Sequence, residues 1–264
     1  MTKTVEVEYA GVKFAIADGG AQPIFLFGVR KSGSSIMNSM VHAVGDFNNA
    51  HYVDVAGRLF EQGQAVRVWQ NDPKLGVLLR PGNVYGGFRD APVGIKNHPL
   101  VRSGKKILLV RDPRDALTSE YFSNAYSHSI PKGGDMREQM QSLRDTALQS
   151  SIRDYVMKLA PQLKQTLRLY FDFIDLPDMR FYRYEDAIMD KRWFLKDVSE
   201  HFGWNLDDGL LGHIMKWADV IPKSEVPTEF VRRVVPGDHR DKLDPDTIRL
   251  LDATFSEELK RFGY

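Results

Sequence analysis

Cysteine is absent from the 264 residues, which excludes a disulfide framework, a cysteine nucleophile and a thiolate metal site. No apolar run approaches membrane-spanning length, and residues 1–20 lack an apolar signal segment. The expectation is a cytoplasmic protein with no integral membrane segment. Charge of one sign is missing too: 36 Lys and Arg against 35 Asp and Glu leave a net +1, without the basic surplus of a nucleic-acid binder. HExxH, G-x-S-x-G and the glycine-rich dinucleotide fingerprint do not occur, and no metal site is expected. No repeat, low-complexity segment or linker interrupts the chain. The expectation is one domain over residues 1–264, with 1–22 as an N-terminal hairpin that caps a sheet.

What is present begins with residues 23–41, PIFLFGVRKSGSSIMNSMV. An apolar strand, Ile24 to Phe27, runs into a short turn rich in Gly and Ser. Ile36, Met37, Met40, Val41 and Val44 then recur at helical spacing. A loop ending at a helix start aims backbone N–H groups and the positive end of the helix dipole at its ligand, so the ligand is an anion. Gly28 and Gly33 have the spacing of the nucleotide-triphosphatase loop, but Ser34 stands where that loop carries lysine. The nearby lysine is Lys31. That placement argues against an ordinary ATP or GTP site and points to another phosphate donor.

The second segment is Lys105–Ser123, KKILLVRDPRDALTSEYFS. Ile107 to Val110 reads as a strand buried on both faces, Arg111 stands at its C-terminal end, and Pro113 suits the first turn of a helix. Ser119, eight residues after Arg111, falls about two helical turns on. Together they can present a guanidinium and a hydroxyl to one phosphate. In open parallel sheets, ligands sit at the carboxyl ends of the strands, where both segments deliver their polar residues.

These segments resemble the sulfotransferases that use 3′-phosphoadenosine 5′-phosphosulfate. Lys31, Ser32, Gly33, Ser34 and Ser35 match the family's 5′-phosphosulfate loop, and Arg111 with Ser119 match its 3′-phosphate motif. Near the C-terminus, Arg232, Arg233, Gly237, Asp238 and Arg240 match a third motif, with Val234 replacing its first glycine and His239 its tryptophan. Lys96-Asn97-His98-Pro99 resembles the family's Lys-Thr-His segment. The match runs from about Pro23 to the C-terminus with the motifs in the family's order.

The resemblance implies an α/β fold of the P-loop type, in three layers around a central parallel sheet. It implies transfer of a sulfuryl group to an acceptor hydroxyl, or an amine, without a metal. Lys31 would hold the bridging oxygen, the amides of Ser32 to Ser35 the 5′-phosphate, and Arg111, Ser119, Arg232 and Arg233, with Gly237, the 3′-phosphate. Tyr184 would lie near the adenine, while Ile36 stands where the family often has tryptophan. His98 would be the general base, helped by Lys96. The alternatives are a kinase-like phosphotransferase with a degenerate loop and a non-catalytic nucleotide sensor.

Elsewhere, Val5 to Ala17 reads as a hairpin about Ala10-Gly11, and Asp135 to Ile174 as a helical stretch broken near Pro161. Met179 to Arg183 reads as a strand. Asp244-Pro245 starts, and Gly263 stops, a helix with Ile248, Leu251, Phe255, Leu259 and Phe262 on one face. His42, His51, His128, His201 and His213 read as surface or core histidines, and Asp112 and Asp115 as a solvated helix start. Residues 46–95 and 124–160 are expected to line the acceptor pocket, where Trp69, Tyr85 and Phe88 suggest an apolar or ring-shaped partner. Glu61 and Asp90 stand as carboxylate alternatives to His98. The acceptor remains open among a sugar, a lipid headgroup, a phenol and a secondary metabolite, and so does the oligomeric state.

Overall fold

A computed structural model describes residues 3–130, 132–222, 224–229 and 231–264. Its centre is a five-stranded parallel sheet. The hairpin comes first, β1 (Thr4–Tyr9) paired antiparallel with β2 (Val12–Ala17) across Ala10-Gly11. The sheet follows, with β3 (Ile24–Gly28), β4 (His51–Asp54), β5 (Asn83–Phe88), β6 (Lys105–Val110) and β7 (Met179–Arg183) in spatial order β4-β5-β3-β6-β7. After β3 the chain crosses to one side to build β4 and β5, then returns to the other side for β6. The loops leaving β3 and β6 therefore diverge, and the crevice between them at the carboxyl ends is the natural ligand site of such a sheet.

Alternation along the strands makes two cores, one on each face. Phe25 and Phe27 pack with Tyr85, Phe88, Leu108, Tyr170 and Phe173 on one face. Ile24 and Leu26 meet Met37, Val41, Val84, Leu109 and Tyr182 on the other. Helix Ser34–Phe47 covers the second face and helix Ile152–Ile174 the first. Trp69, Tyr85 and Phe88 belong to the first core, and the Tyr85 hydroxyl donates to the Leu78 carbonyl at 2.8 Å. They are therefore not rings of an acceptor pocket.

Three local expectations are corrected. The helical stretch breaks at Ser150-Ser151 and not at Pro161: Ser151 caps the second helix through the Asp154 N–H at 3.1 Å. Pro161 lies inside that helix at an exposed position, where water can take the carbonyl it leaves without a donor. The C-terminal helix is two, Pro245–Thr254 and Ser256–Phe262, parted at buried Phe255. Asp244 does cap its start and Gly263, at φ 77°, does end it.

Strand β5 carries a bulge. Phe25 pairs with Tyr85 but Phe27 with Phe88, so one extra residue is taken up around Gly87, at φ 78°. A Cβ on Gly87 would come within 1.8 Å of the Asp54 carboxylate, so only glycine fits. The chain then leaves the sheet with Arg89 directed to the loop after β3, its Nη2 donating to Ser35 Oγ at 3.1 Å. Among the described residues, no helix is long and apolar enough to cross a membrane.

Candidate active site

The loop from Val29 to Gly33 is closed from within. The Ser32 amide and hydroxyl both donate to the Val29 carbonyl, at 3.2 and 2.6 Å. Ser32 therefore shapes the loop, and the amides left to an anion are those of Gly33, Ser34 and Ser35 at the start of a helix that no side chain caps. Gly33 has φ 76°, and a Cβ there would meet the Tyr184 ring at 2.7 Å. Lys31 also has positive φ, 63°, a conformation that costs a non-glycine residue about 1 kcal/mol or more and that tends to persist at functional sites.

Arg111 links the two diverging loops. Its Nη1 donates to the Lys31 carbonyl at 3.1 Å, its guanidinium stacks on Tyr184 at 4.4 Å, and its buried Nε has no partner. Tyr184 is itself buried, between Gly33 and Arg111, and its hydroxyl donates to the Val234 carbonyl at 2.8 Å. Asp115 then fastens the C-terminal segment beneath the site. Its carboxylate accepts the Gly237 amide at 2.7 Å, the His239 amide at 2.9 Å and His239 Nδ1–H at 2.6 Å, and lies 3.7 Å from Arg111. His239, Arg111 and the two amides hold the Asp115 carboxyl far below the usual carboxylate range, despite its burial. The reading of Asp115 as a solvated helix start is overturned, because it is buried and its three donors arrive from residues 237–239. Asp112 does cap the helix, through the Arg114 amide at 2.9 Å, and is buried as well.

Arg232 reaches the same side. It is buried, lies 4.1 Å over the Phe122 ring and pairs with Glu225 and Asp238. Ser119, half-buried, is one turn before Phe122 on the helix Pro113–Phe122. Arg233 pairs with Asp238 at 3.1 Å and Asp241 at 2.7 Å. The Gly237 amide is committed to Asp115, so Gly237 braces the site rather than facing a ligand. Among the described residues, Lys31 and Arg89 enter no ion pair. Burial, then the charges of Arg89, Arg111 and Arg232, push the Lys31 ammonium down to about 8, with Glu120 pulling the other way.

A match to the sulfotransferase domain model covers residues 21–263. The chain belongs to the sulfotransferase family. This sulfotransferase superposes on the crystal structure of mouse sulfotransferase SULT7A1 complexed with PAP at TM-score 0.61 and 15% identity, covering 96% of this chain and 94% of that one. A structure of retinol dehydratase with retinol and PAP gives TM-score 0.58 at 15% identity, covering 98% and 90%. A second, with androsterone and PAP, gives 0.56 at 14%, covering 97% and 90%. A search of curated proteins finds no significant match.

In this sulfotransferase, two residues expected at the site lie elsewhere. His98 caps the short helix Pro99–Ser103, its Nδ1 accepting the Leu100 N–H at 3.2 Å. That helix leads into the start of β6, where the Lys105 amide bonds the Pro23 carbonyl just before β3. His98 is thus at the amino end of the sheet, roughly 15–20 Å from Lys31 by strand length. Lys96 is tied to Asp172 at 2.6 Å on the same side. The Lys-x-His spacing is present, but the β5 bulge and the turn after it carry the segment away from the crevice.

Around the loop after β3 stand Asp90, the carboxylate alternative to His98, and His128, which the sequence reads as a surface or core histidine. Arg30 lies 3.7 Å from both Asp90 and Glu120, beside Lys31. Burial holds the Asp90 carboxyl above its usual range against the pull of Arg30. His128 Nδ1–H donates to the Ser129 carbonyl at 2.8 Å, which leaves Nε2 as the basic nitrogen. Burial, and after it the charges of Lys31 and Arg89, hold this imidazole below the ordinary histidine value, against the Ser129 carbonyl and Glu120. The glycine pair before Phe88-Arg89-Asp90 is the one sequence signal, a bulge or close backbone approach in a strand.

Proposed function

We propose that the protein transfers a sulfuryl group from 3′-phosphoadenosine 5′-phosphosulfate to an acceptor hydroxyl, or an amine, within a single domain. The observation that carries this is the setting of Lys31: a half-buried ammonium at the start of a helix, pushed down to about 8 by desolvation and three guanidiniums. Such a nest of cations at a helix start, with the Arg111 Nε unpartnered, suits a ligand with several phosphate-type charges. Family membership and the PAP held by the related structures point the same way.

The donor brings an activated sulfuryl group whose bridging oxygen gains charge as the bond to sulfur breaks. Lys31 faces that charge, and its ammonium acts mainly in the transition state. The amides of Gly33 to Ser35, with the Ser34 and Ser35 hydroxyls, hold the 5′-phosphate. Arg111, Ser119 and Arg232 hold the 3′-phosphate. His128 Nε2 accepts the acceptor's proton; with its pKa below the ordinary value it is neutral at pH 7 and needs no prior deprotonation. Lys96 and His98 have no part in this chemistry.

A thermal-shift comparison tests the reading. At about a hundred times its Kd, a ligand stabilises by about 2.7 kcal/mol, a shift of several degrees. The expected result is that 3′-phosphoadenosine 5′-phosphate gives that shift and ATP with Mg²⁺ gives less. A larger shift with ATP and Mg²⁺ would favour a phosphotransferase.

A further inference from the structure

A cleft of about 600 Å³ opens beside the donor loop, and Arg30 and Asp90 line it. Its size is ordinary for a small-molecule site, but its walls are not. Such sites are mostly apolar with a few polar groups. Here five residues with amide side chains, Gln70, Asn71, Gln139, Gln162 and Gln165, line the cleft, and Ala65, Val66 and Leu169 are its apolar members. The large rings nearby, Trp69 and Phe88, are buried in the core and do not line it.

The buried part of the cleft is polar as well. Thr166 and Asp90 are 5% and 6% exposed, and the Thr166 hydroxyl lies 3.5 Å from Asp90. Arg30 Nε is buried without a hydrogen-bond partner, 3.7 Å from the Asp90 carboxylate. One unmet donor beside a carboxylate suits a group that accepts and donates at the same atom, as a hydroxyl does. Each amide likewise offers N–H donors and a carbonyl, and leaving such groups unpaired under an apolar ligand is costly. Lining charges nearly balance, Arg30 and Arg67 against Asp90, Asp135 and Glu138, so nothing recruits a polyanion.

The geometry points to a neutral polyhydroxylated acceptor, a sugar or glycoside, in place of an apolar alcohol such as the retinol and androsterone held by the related retinol dehydratase. This rests on the sulfuryl-transfer reading above. In the reaction, an acceptor hydroxyl oxygen bonds to sulfur while the bond from sulfur to the bridging oxygen breaks. The electron pair leaves with 3′-phosphoadenosine 5′-phosphate, and the hydroxyl proton passes to His128 Nε2.

The experiment uses the full chain and ³⁵S-labelled donor against methyl glucoside, methyl galactoside, lactose, androsterone, retinol and 2-naphthol. The expected kcat/KM is at least about tenfold higher for the best sugar than for any apolar acceptor, since one lost hydrogen bond to a charged group is worth that much. Two variants sharpen it. Asp90→Asn and Gln70→Leu should each raise KM for the sugar about tenfold, with affinity for 3′-phosphoadenosine 5′-phosphate within about twofold of wild type. Should either fail to fold, Gln165→Leu, at an exposed position, serves with the same expectation. Preference for an apolar acceptor, or no transfer to any sugar by protein that binds the nucleotide, overturns the assignment. Failure to bind the nucleotide overturns the sulfuryl-transfer reading beneath it.

Discussion

Two lysines, half-buried Lys31 and buried Lys106, stand one at each end of the central sheet with ammonium groups pushed down to about 8. Burial is the first cause for both Lys31 and Lys106. Their second neighbours differ. Around Lys31 stand Arg89, Arg111 and Arg232 at a helix start. Lys106 is wholly buried and donates to the carbonyls of Val101 (2.8 Å), Arg102 (3.3 Å) and Gly104 at the end of helix Pro99–Ser103. A lysine bonded to the last carbonyls of a helix is a cap. A lysine among guanidiniums at an uncapped helix start stands where an anion would be favoured. A depressed lysine pKa thus marks burial, and the sign of the surrounding charge and dipole separates function from structure.

The histidines follow the same division. His98 caps the opposite end of the helix that Lys106 caps, whereas His128 feels the charges of Lys31 and Arg89. The largest expected contrast is therefore between His128→Ala and His98→Ala. The first should lower turnover about 10²–10⁴-fold with fold and nucleotide affinity retained, the usual range for loss of a general base. The second should leave turnover within about twofold and cost about 1 kcal/mol of stability, the loss of a helix cap. If steady-state kinetics and melts give the reverse, the two ends have been assigned the wrong way round.

The lysines should divide likewise. Lys31→Ala should cut turnover about 10²–10³-fold while nucleotide affinity falls less, because charge builds at the bridging oxygen only during transfer. Equal losses in both would make Lys31 a binding cation alone. Lys106→Met should leave turnover near wild type and lower the melting temperature by several degrees, since buried carbonyls lose their donor at a cost of about 1–3 kcal/mol.

The smallest effect concerns pH. Lys31 is charged below its pKa and neutral above it, so kcat/KM for the donor should fall as pH rises through about 8. His128 is held below the ordinary histidine value, so the acid limb should lie below about pH 6.5. Lys31→Arg should displace the alkaline limb upward. An alkaline limb that stays put in that variant would assign it to another group.

How far the sequence disclosed this depends on whether the signal was local. The loop after β3, Arg111 after β6, the hairpin about Ala10-Gly11 and the Asp244 cap are all written in adjacent residues, as apolar runs that end in Gly, Ser or Pro. Strand β5 was hidden because Gly86 and Gly87 sit inside it, where alternation should show apolar side chains. With it went Arg89, while Asp90 stood only as a carboxylate alternative to His98; the bulge redirects both to the crevice. His98 looked catalytic because it stands two residues after a lysine; the structure makes that same position a helix cap. Asp115 looked solvated because the donors that bury it come from more than a hundred residues away.

The central claim is that the cation nest at the carboxyl end is built for a nucleotide with phosphates at both 3′ and 5′ positions. Isothermal titration of 3′-phosphoadenosine 5′-phosphate against adenosine 5′-phosphate tests it most directly. A charge-assisted contact of the kind proposed for Arg111, Ser119 and Arg232 is worth about 1.5–3 kcal/mol, so the bisphosphate should bind about ten- to a hundredfold more tightly. Arg111→Gln should remove most of that difference. Equal affinity for the two nucleotides in the wild-type protein would contradict the account.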